Sequence, residues 1–387
     1  MNMTSRERVH AAIDHKPVDR VPLDMTISYT AHNNLCKYMH WDHLCVDTAS
    51  IWSVAFPEPE FHEKMNLDCI YVGLNPPSGT PPLHFNIDET YTNEFGQSYR
   101  KTVTSTGAVS YDFTNIPAED WTLKDLENWQ MPDPLDDAIF DGLYERCKYI
   151  YENTDKAIVG YFGGSLFSVS SHMRGMENWY VDLMAEPEFT GLFMRKFLDY
   201  YTKMYNKALD IAGKYISFLR TEMDDFASQQ GPLISPLVFR EQVKPLLGQF
   251  YGGLKAKFAE VNPLGRLMKH ACGDNSAFIE DYIDIGADML DPVQPNTARM
   301  TRDFLSKYKG RIAFHGNINT QQVLPYGTVE EVREDVRDSL RHLAGPSGFI
   351  CGPTHHILGD VPPKNIIALR DAVLELGQIK DGRLINI

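Results

Sequence analysis

The chain has 387 residues, 43% hydrophobic, 11% aromatic and 23% charged, a composition that excludes a disordered chain and allows a large packed core. Its 37 Lys and Arg stand against 52 Asp and Glu, and the net charge of -15 argues against nucleic acid or an anionic membrane as the main partner, since both need a basic footprint. No apolar run reaches the roughly 18 residues of a membrane helix. The opening MNMTSRERVHAAIDHKP alternates charges with small apolar residues and lacks a signal-peptide core, so a cytoplasmic protein is expected.

In chain order, short β-rich runs fall at 21–25, 68–73, 157–162, 216–221, 266–270, 288–292, 311–315 and 348–351. Each ends in polar or Gly/Pro residues and leads towards a stretch of helical periodicity. Two of the helices carry clear start signals. The one over 235–260 opens with Ser235-Pro236, and the one over 328–343 opens with Thr328 and has Glu331 three residues later. Strands alternating with long crossovers predict a parallel sheet, and eight of them predict a single α/β (β/α)8 TIM barrel over 1–387, with a doubly wound open sheet as the alternative. The rhythm breaks over 75–137. There a Pro/Gly-rich stretch, the alternating GQSYRKTVTSTGAVSYDF and the short helical WTLKDLENWQMPDPLDD predict an insertion after the second strand, a hairpin plus a short helix.

Barrel catalytic groups sit at the C-terminal ends of strands. Those ends offer Glu222, Asp224 and Asp225, then His270 and Cys272, then Asp291 and Gln294, then His315 and Asn317, and finally Cys351. The six cysteines (Cys36, Cys45, Cys69, Cys147, Cys272 and Cys351) are widely spaced with no CxxC pair, so each is either a small buried hydrophobe or a ligand. Residues two apart on a strand face one way, so His270 and Cys272 converge, and Cys351 closes the last strand at the same mouth. One imidazole and two thiolates suit Zn²⁺ and leave a fourth position open, as catalytic sites do. Simple burial of all three is the competing reading.

These stretches carry a resemblance. TSRERVHAAIDHKPVDRVPLDM (from Thr4), GGSLFSVSSHMRGMENW (from Gly163), DDFASQQGPLISPLVFREQVKPLL (from Asp224), KHACGDNSAFIEDYIDIGADMLDPVQP (from Lys269) and FHGNINTQQVLPYGT (from Phe314) resemble the uroporphyrinogen decarboxylase superfamily over essentially the whole chain. Its fold is a (β/α)8 barrel. One branch comprises zinc-dependent corrinoid methyltransferases such as the methylcobalamin:coenzyme M enzymes, whose motif is His-x-Cys followed after a long gap by Cys. His270, Cys272 and Cys351 match it position by position. The resemblance implies zinc and a corrinoid (methylcobalamin) as cofactors, with methyl transfer between the cobalt and a small-molecule donor or acceptor held at zinc. Glu222 or Asp224 is expected either as a displaceable fourth ligand or orienting His270, with helix capping as the structural alternative.

A decarboxylase of the same superfamily binds a porphyrinogen with eight carboxylates and needs clustered cations. Between Val21 and Tyr99 this chain has no arginine, and Lys37 and Lys64 are its only lysines there. The neutral loop instead offers Tyr29, Tyr38, Trp41 and Trp52, which either wall a pocket or pack in the core, and His32, His40 and His43, expected at the surface or hydrogen-bonded. A decarboxylase and a non-catalytic binding protein remain the alternatives. The Asp-x-His-x-x-Gly corrinoid-ligation motif is missing, its nearest approach being the stretch from Thr354 to Gly359, so any corrinoid is expected on a separate partner protein.

Overall fold

The computed structural model describes residues 3–105, 107–345 and 348–387, with every side chain among them except that of Glu222. The fold is mixed α/β around a curled parallel sheet, consistent with a TIM-like barrel. Its seven strands are β1 (Cys69–Gly73), β2 (Ala157–Tyr161), β3 (Ile216–Met223), β4 (Arg266–His270), β5 (Met289–Asp291), β6 (Ala313–Ile318) and β7 (Phe349–Pro353). They follow one another in chain order across the sheet, every neighbouring pair parallel. All seven coincide with runs expected from the sequence.

The expected strand at 21–25 does not form a regular strand. It makes a single parallel bridge, Leu23 to Cys351. Pro22 has no N–H to give a ladder, so the segment is held by bonds to both edges of the sheet. Cys351 N donates to Pro22 O (2.9 Å), Asp24 N to Cys351 O (3.0 Å), and Asp68 N to Leu23 O (2.8 Å). Its anchor is the buried Asp68, whose carboxylate accepts from Leu23 N (2.7 Å), Arg8 Nη1 (2.7 Å) and Arg20 Nη1 (2.7 Å).

Strand alternation sorts the side chains into two layers. Val159, Phe218, Met268, Met289, Ala313 and Ile350 point to the axis and pack together. Their neighbours Leu219, Leu267, Leu290, Phe314 and Cys351 point outward into the layer shared with the helices. Among those helices is Val329–Leu343, with the Thr328/Glu331 capping box that the sequence predicts. The helix expected over 235–260 is interrupted: Pro236–Val238 and Lys244–Val261 flank a π turn at Phe239–Val243, in which Lys244 N–H reaches back to Phe239 O. Pro245 can neither donate nor tolerate the carbonyl four residues back, and the wider turn accommodates it.

Between β1 and β2, Thr90–Thr92, Ser98–Val103 and Val109–Phe113 form a three-stranded antiparallel sheet over Leu83, Phe85, Tyr99 and Tyr111. A hairpin was the expectation; the extra strand is only TYT, too short to show an alternating pattern. The helix Leu123–Asn128 follows, capped by Thr122 and Asp125. Among the described residues no helix is long and apolar enough to cross a membrane.

Asp68→Asn takes from the half-buried Arg20 its counter-charge and from the buried Arg8 one of its two carboxylate partners, the other being Asp19. The expected loss is about 3–5 kcal/mol of unfolding free energy, read from urea denaturation; a loss below about 1 kcal/mol would remove Asp68 as the anchor.

Candidate metal centre

His270 is the last residue of β4 and faces the axis with Met268 two residues before it. The chain then turns sharply at Gly273, whose positive φ and close approach to the Ala227 carbonyl leave no room for a Cβ. This turn folds Cys272 back over His270, with Sγ 3.8 Å from Nε2. Asp225, just beyond β3, accepts from Cys272 N at 2.7 Å. One ligand atom each from Asp225, His270 and Cys272 lies within 4.8 Å of the others.

Below this group lies a buried polar layer. Asp291 Oδ2 is 2.7 Å from His270 Nδ1 and 3.0 Å from Arg220 Nε, and Arg220 Nη2 is 2.7 Å from the same His270 nitrogen. Asp291 Oδ1 lies 2.6 Å from His315 Nδ1, while His315 Nε2 lies 2.9 Å from Asp24 Oδ2, to which Tyr71 also donates (2.6 Å). Burial works against an ionised Asp291, but the Arg220 guanidinium and His315 overcome it and hold the carboxyl well below its usual range. Burial also works against a charged His315, but Asp291 and Asp24 carry it up to about 9, so it is an imidazolium at neutral pH. His270 has the opposite fate: burial and then Arg220 push it down, leaving a neutral ring. Nδ1 lies 2.7 Å from both the Asp291 carboxylate, which favours a proton there, and the Arg220 guanidinium, which opposes one, while Nε2 faces Cys272. Burial and then Asp225 push the Cys272 thiol well up.

Of the residues expected at the site, the structure brings together His270 and Cys272 and adds Asp225. It does not bring Cys351 to them. Ile350 takes the inward place on β7, so Cys351 points outward, fully buried among core side chains, and the charges acting on it are Asp335 and Arg302 of the outer shell. Standing at a strand end was the signal used for Cys351; the parity of the strand decides its direction. Asp224, expected at the reacting centre, is occupied elsewhere. It is fully buried and accepts from Ser165 Oγ (2.6 Å), Leu166 N (3.0 Å), Phe167 N (3.0 Å) and Ser168 N (2.7 Å), capping the helix Phe167–Arg174. Glu222 has its backbone in β3, but its side chain lies outside the described residues.

Arg220 was not singled out by sequence reasoning, and the pair His355–His356 entered it only within the stretch nearest to the corrinoid-ligation motif. The two histidine rings lie against each other, centroids 3.9 Å apart and planes tilted by 39°, just past β7. Arg220 acts on both, Asp225 and Asp291 on His355, and His270 on His356, which places the pair beside the same group. A His-His pair two residues past a strand end was the available signal. The four aromatic residues at 29–52 pack or lie exposed: Tyr29 stacks on Phe85 (5.1 Å), Trp41 meets Phe61 edge-on (6.5 Å), Trp52 meets Phe113 (5.9 Å), and Tyr38 is exposed. A cavity of about 480 Å³ does open beside the strand ends, but Phe56, Tyr91, Tyr161, Tyr200 and Tyr201 supply its aromatic wall.

Comparison with known proteins gives one family and a shared fold. The model of the family described as uroporphyrinogen decarboxylase (URO-D) matches residues 111–376. No curated protein matches the chain. Among solved structures, a methyltransferase from Methanosarcina mazei superposes with a TM-score of 0.67 at 20% identity, covering 96% of this chain and 99% of that one, a likeness of fold. A candidate vitamin-B12-independent methionine synthase from Listeria monocytogenes reaches only 0.41 at 11% identity, over 93% and 96% of the two chains, too little overlap to carry an argument.

Because His315 is carried above its ordinary value of 6.5 to about 9, its charge stabilises the fold fully below 6.5, and that contribution is lost as pH rises through about 9. The gap in unfolding free energy between wild type and His315→Asn should therefore narrow across that window. Two curves that stay parallel would mean that His315 is neutral throughout.

Proposed function

Because the chain belongs to the uroporphyrinogen decarboxylase family, matched over residues 111–376, we propose that it is an enzyme of that family's methyltransferase kind, zinc-dependent and part of a corrinoid system. The observation that carries this reading is the convergence of Asp225, His270 and Cys272 within 4.8 Å of one another. An imidazole nitrogen, a thiolate and a carboxylate suit zinc, and three protein ligands leave a fourth position for substrate. Asp225 stands where Cys351 was expected, and since both are anionic the set still opposes two negative charges to the dication. When bound, zinc would supply the positive charge that lets a substrate thiol lose its proton at neutral pH.

The residues of the chain do the rest. Asp291 and Arg220 together hold the Nδ1 edge of His270, so that Nε2 is the nitrogen offered. Arg220 neutralises Asp291, which keeps that carboxylate from competing as a ligand. Asp225 both lines the group and holds the Cys272 backbone. Cys272 keeps its proton when no cation is near, since burial and Asp225 push it up. His355 and His356 lie near enough for Arg220 to act on both and His270 on His356. A corrinoid would be carried by a separate protein, because the chain lacks Asp-x-His-x-x-Gly.

The architecture we adopt is a full (β/α)8 barrel over 1–387, with 21–25 as its first strand and 75–137 as an insertion beside the mouth. The six free cysteines fit a reducing compartment, taken here as the cytoplasm. A polycarboxylate substrate is disfavoured, because among the described residues the cavity beside the site is lined by no Lys, Arg or His.

Metal analysis tests this directly. Wild type should hold about one zinc per chain after reconstitution, and methylate a small thiol from methylcobalamin. His270→Ala and Cys272→Ala should each lose zinc and activity, and Asp225→Asn should weaken zinc by about tenfold or more. Cys351→Ala and Cys147→Ala should keep both. A Cys272→Ala protein retaining zinc and activity would overturn the ligand assignment.

A further inference from the structure

The cavity of about 480 Å³ lies at the C-terminal ends of β1 and β2, where Gly73 and Tyr161 form part of its wall. Tyr161 joins it to the metal group: one face of its ring lies 5.2 Å from the Arg220 guanidinium, and its ring packs 5.7 Å from Phe56. The chemistry of the lining is lopsided. It has aromatic rings from Phe56, Tyr91, Tyr161, Phe162, Tyr200 and Tyr201, two carboxylates from Glu58 and Glu94, and, among the described residues, no cationic side chain.

Glu58 is exposed at the rim, whereas Glu94 sits deeper, among the tyrosines. The charge of Glu94 acts on Tyr91, Tyr200 and Tyr201, and among the described residues no lysine or arginine pairs with its carboxylate. Burial pushes this carboxyl above its ordinary value. A desolvated acid without a counter-ion is one half of an ion pair. Aromatic rings present electron-rich faces that attract alkylated ammonium groups, which are large, poorly hydrated cations. The other half of the pair is therefore to be sought in the ligand.

We propose that this cavity is the substrate chamber and that it takes a small organic cation, an alkylated ammonium head seated against the tyrosines with Glu94 as its counter-ion. This rests on the methyltransferase reading for its role but not for its binding, because no zinc ligand takes part. Anionic ligands of similar size are excluded by the same two carboxylates.

The test compares choline with 3,3-dimethyl-1-butanol, which has the same shape without the charge, by calorimetric titration of wild type and Glu94→Gln. Wild type should prefer choline by at least about tenfold, and Glu94→Gln should bind the two alike. Equal affinity in wild type, binding of neither compound, or a preference that survives in Glu94→Gln would each overturn the proposal. Tyr200→Phe keeps the ring and should keep the preference, which separates loss of the site from loss of the fold. Zinc content measured on the same samples keeps the two readings apart: zinc without a choline preference sinks only this inference, and the preference without zinc sinks only the metal assignment.

Discussion

An ionised Asp291 on the barrel axis is the group on which the rest of the site depends. It is reached from β3 by Arg220, from β4 by His270 and from β6 by His315, while Asp24 and Tyr71 extend the chain of contacts to the 21–25 segment and β1. The layer beneath it, with Phe218, Met268, Met289, Ala313 and Ile350, is apolar and could have continued upward as more of the same. A barrel axis filled with hydrophobes costs nothing in desolvation, whereas a buried charge must be met by partners of good geometry or it destabilises. Here the charges alternate in sign along the chain of contacts. In exchange for that demand the protein holds one imidazole neutral and aimed, and a second imidazole charged. Two histidines on strands β4 and β6 share one carboxylate and differ only in what else they touch: His270 has a guanidinium at its side, His315 a second carboxylate. Environment, not residue type, separates a ligand from a counter-ion.

The architecture was legible because hydrophobic runs at strand length, separated by helical crossovers, allow few arrangements. What escaped were features set by neighbours rather than by local pattern. The run at 21–25 looks like the others, yet Pro22 withholds a ladder donor and tertiary contacts through Asp68 place it. Asp224 and Asp225 are adjacent and chemically identical. One is swallowed by four donors from the 165–168 turn and the other is left facing Cys272, a distinction that needs the fold of a segment some 56 residues away. Position at a strand end led to His270 and Cys272, whose side chains the structure brings to 3.8 Å of each other. For Cys351 it was insufficient, because direction alternates along a strand and Ile350 already takes the inward place. The pair His355–His356 lay in plain sight past the same strand but matched no motif.

Charge is partitioned across one side chain. On the axis side of Tyr161 stands Arg220, fully committed to Asp291 and His270; on the cavity side stand Glu94, Glu58 and the tyrosine rings. Arg220 stands 5.2 Å from the Tyr161 ring on the axis side, and its own partners hold it there. Were it free to swing past Tyr161 it would neutralise Glu94 and abandon Asp291, leaving that carboxylate to His270 and His315 alone. The rigidity of the polar layer thus has a second consequence beyond the metal ligands. By keeping its positive charge on the axis, it leaves the desolvated Glu94 carboxyl in the neighbouring chamber without a cationic partner among the described residues, and a cationic ligand is the partner that would favour its ionised form.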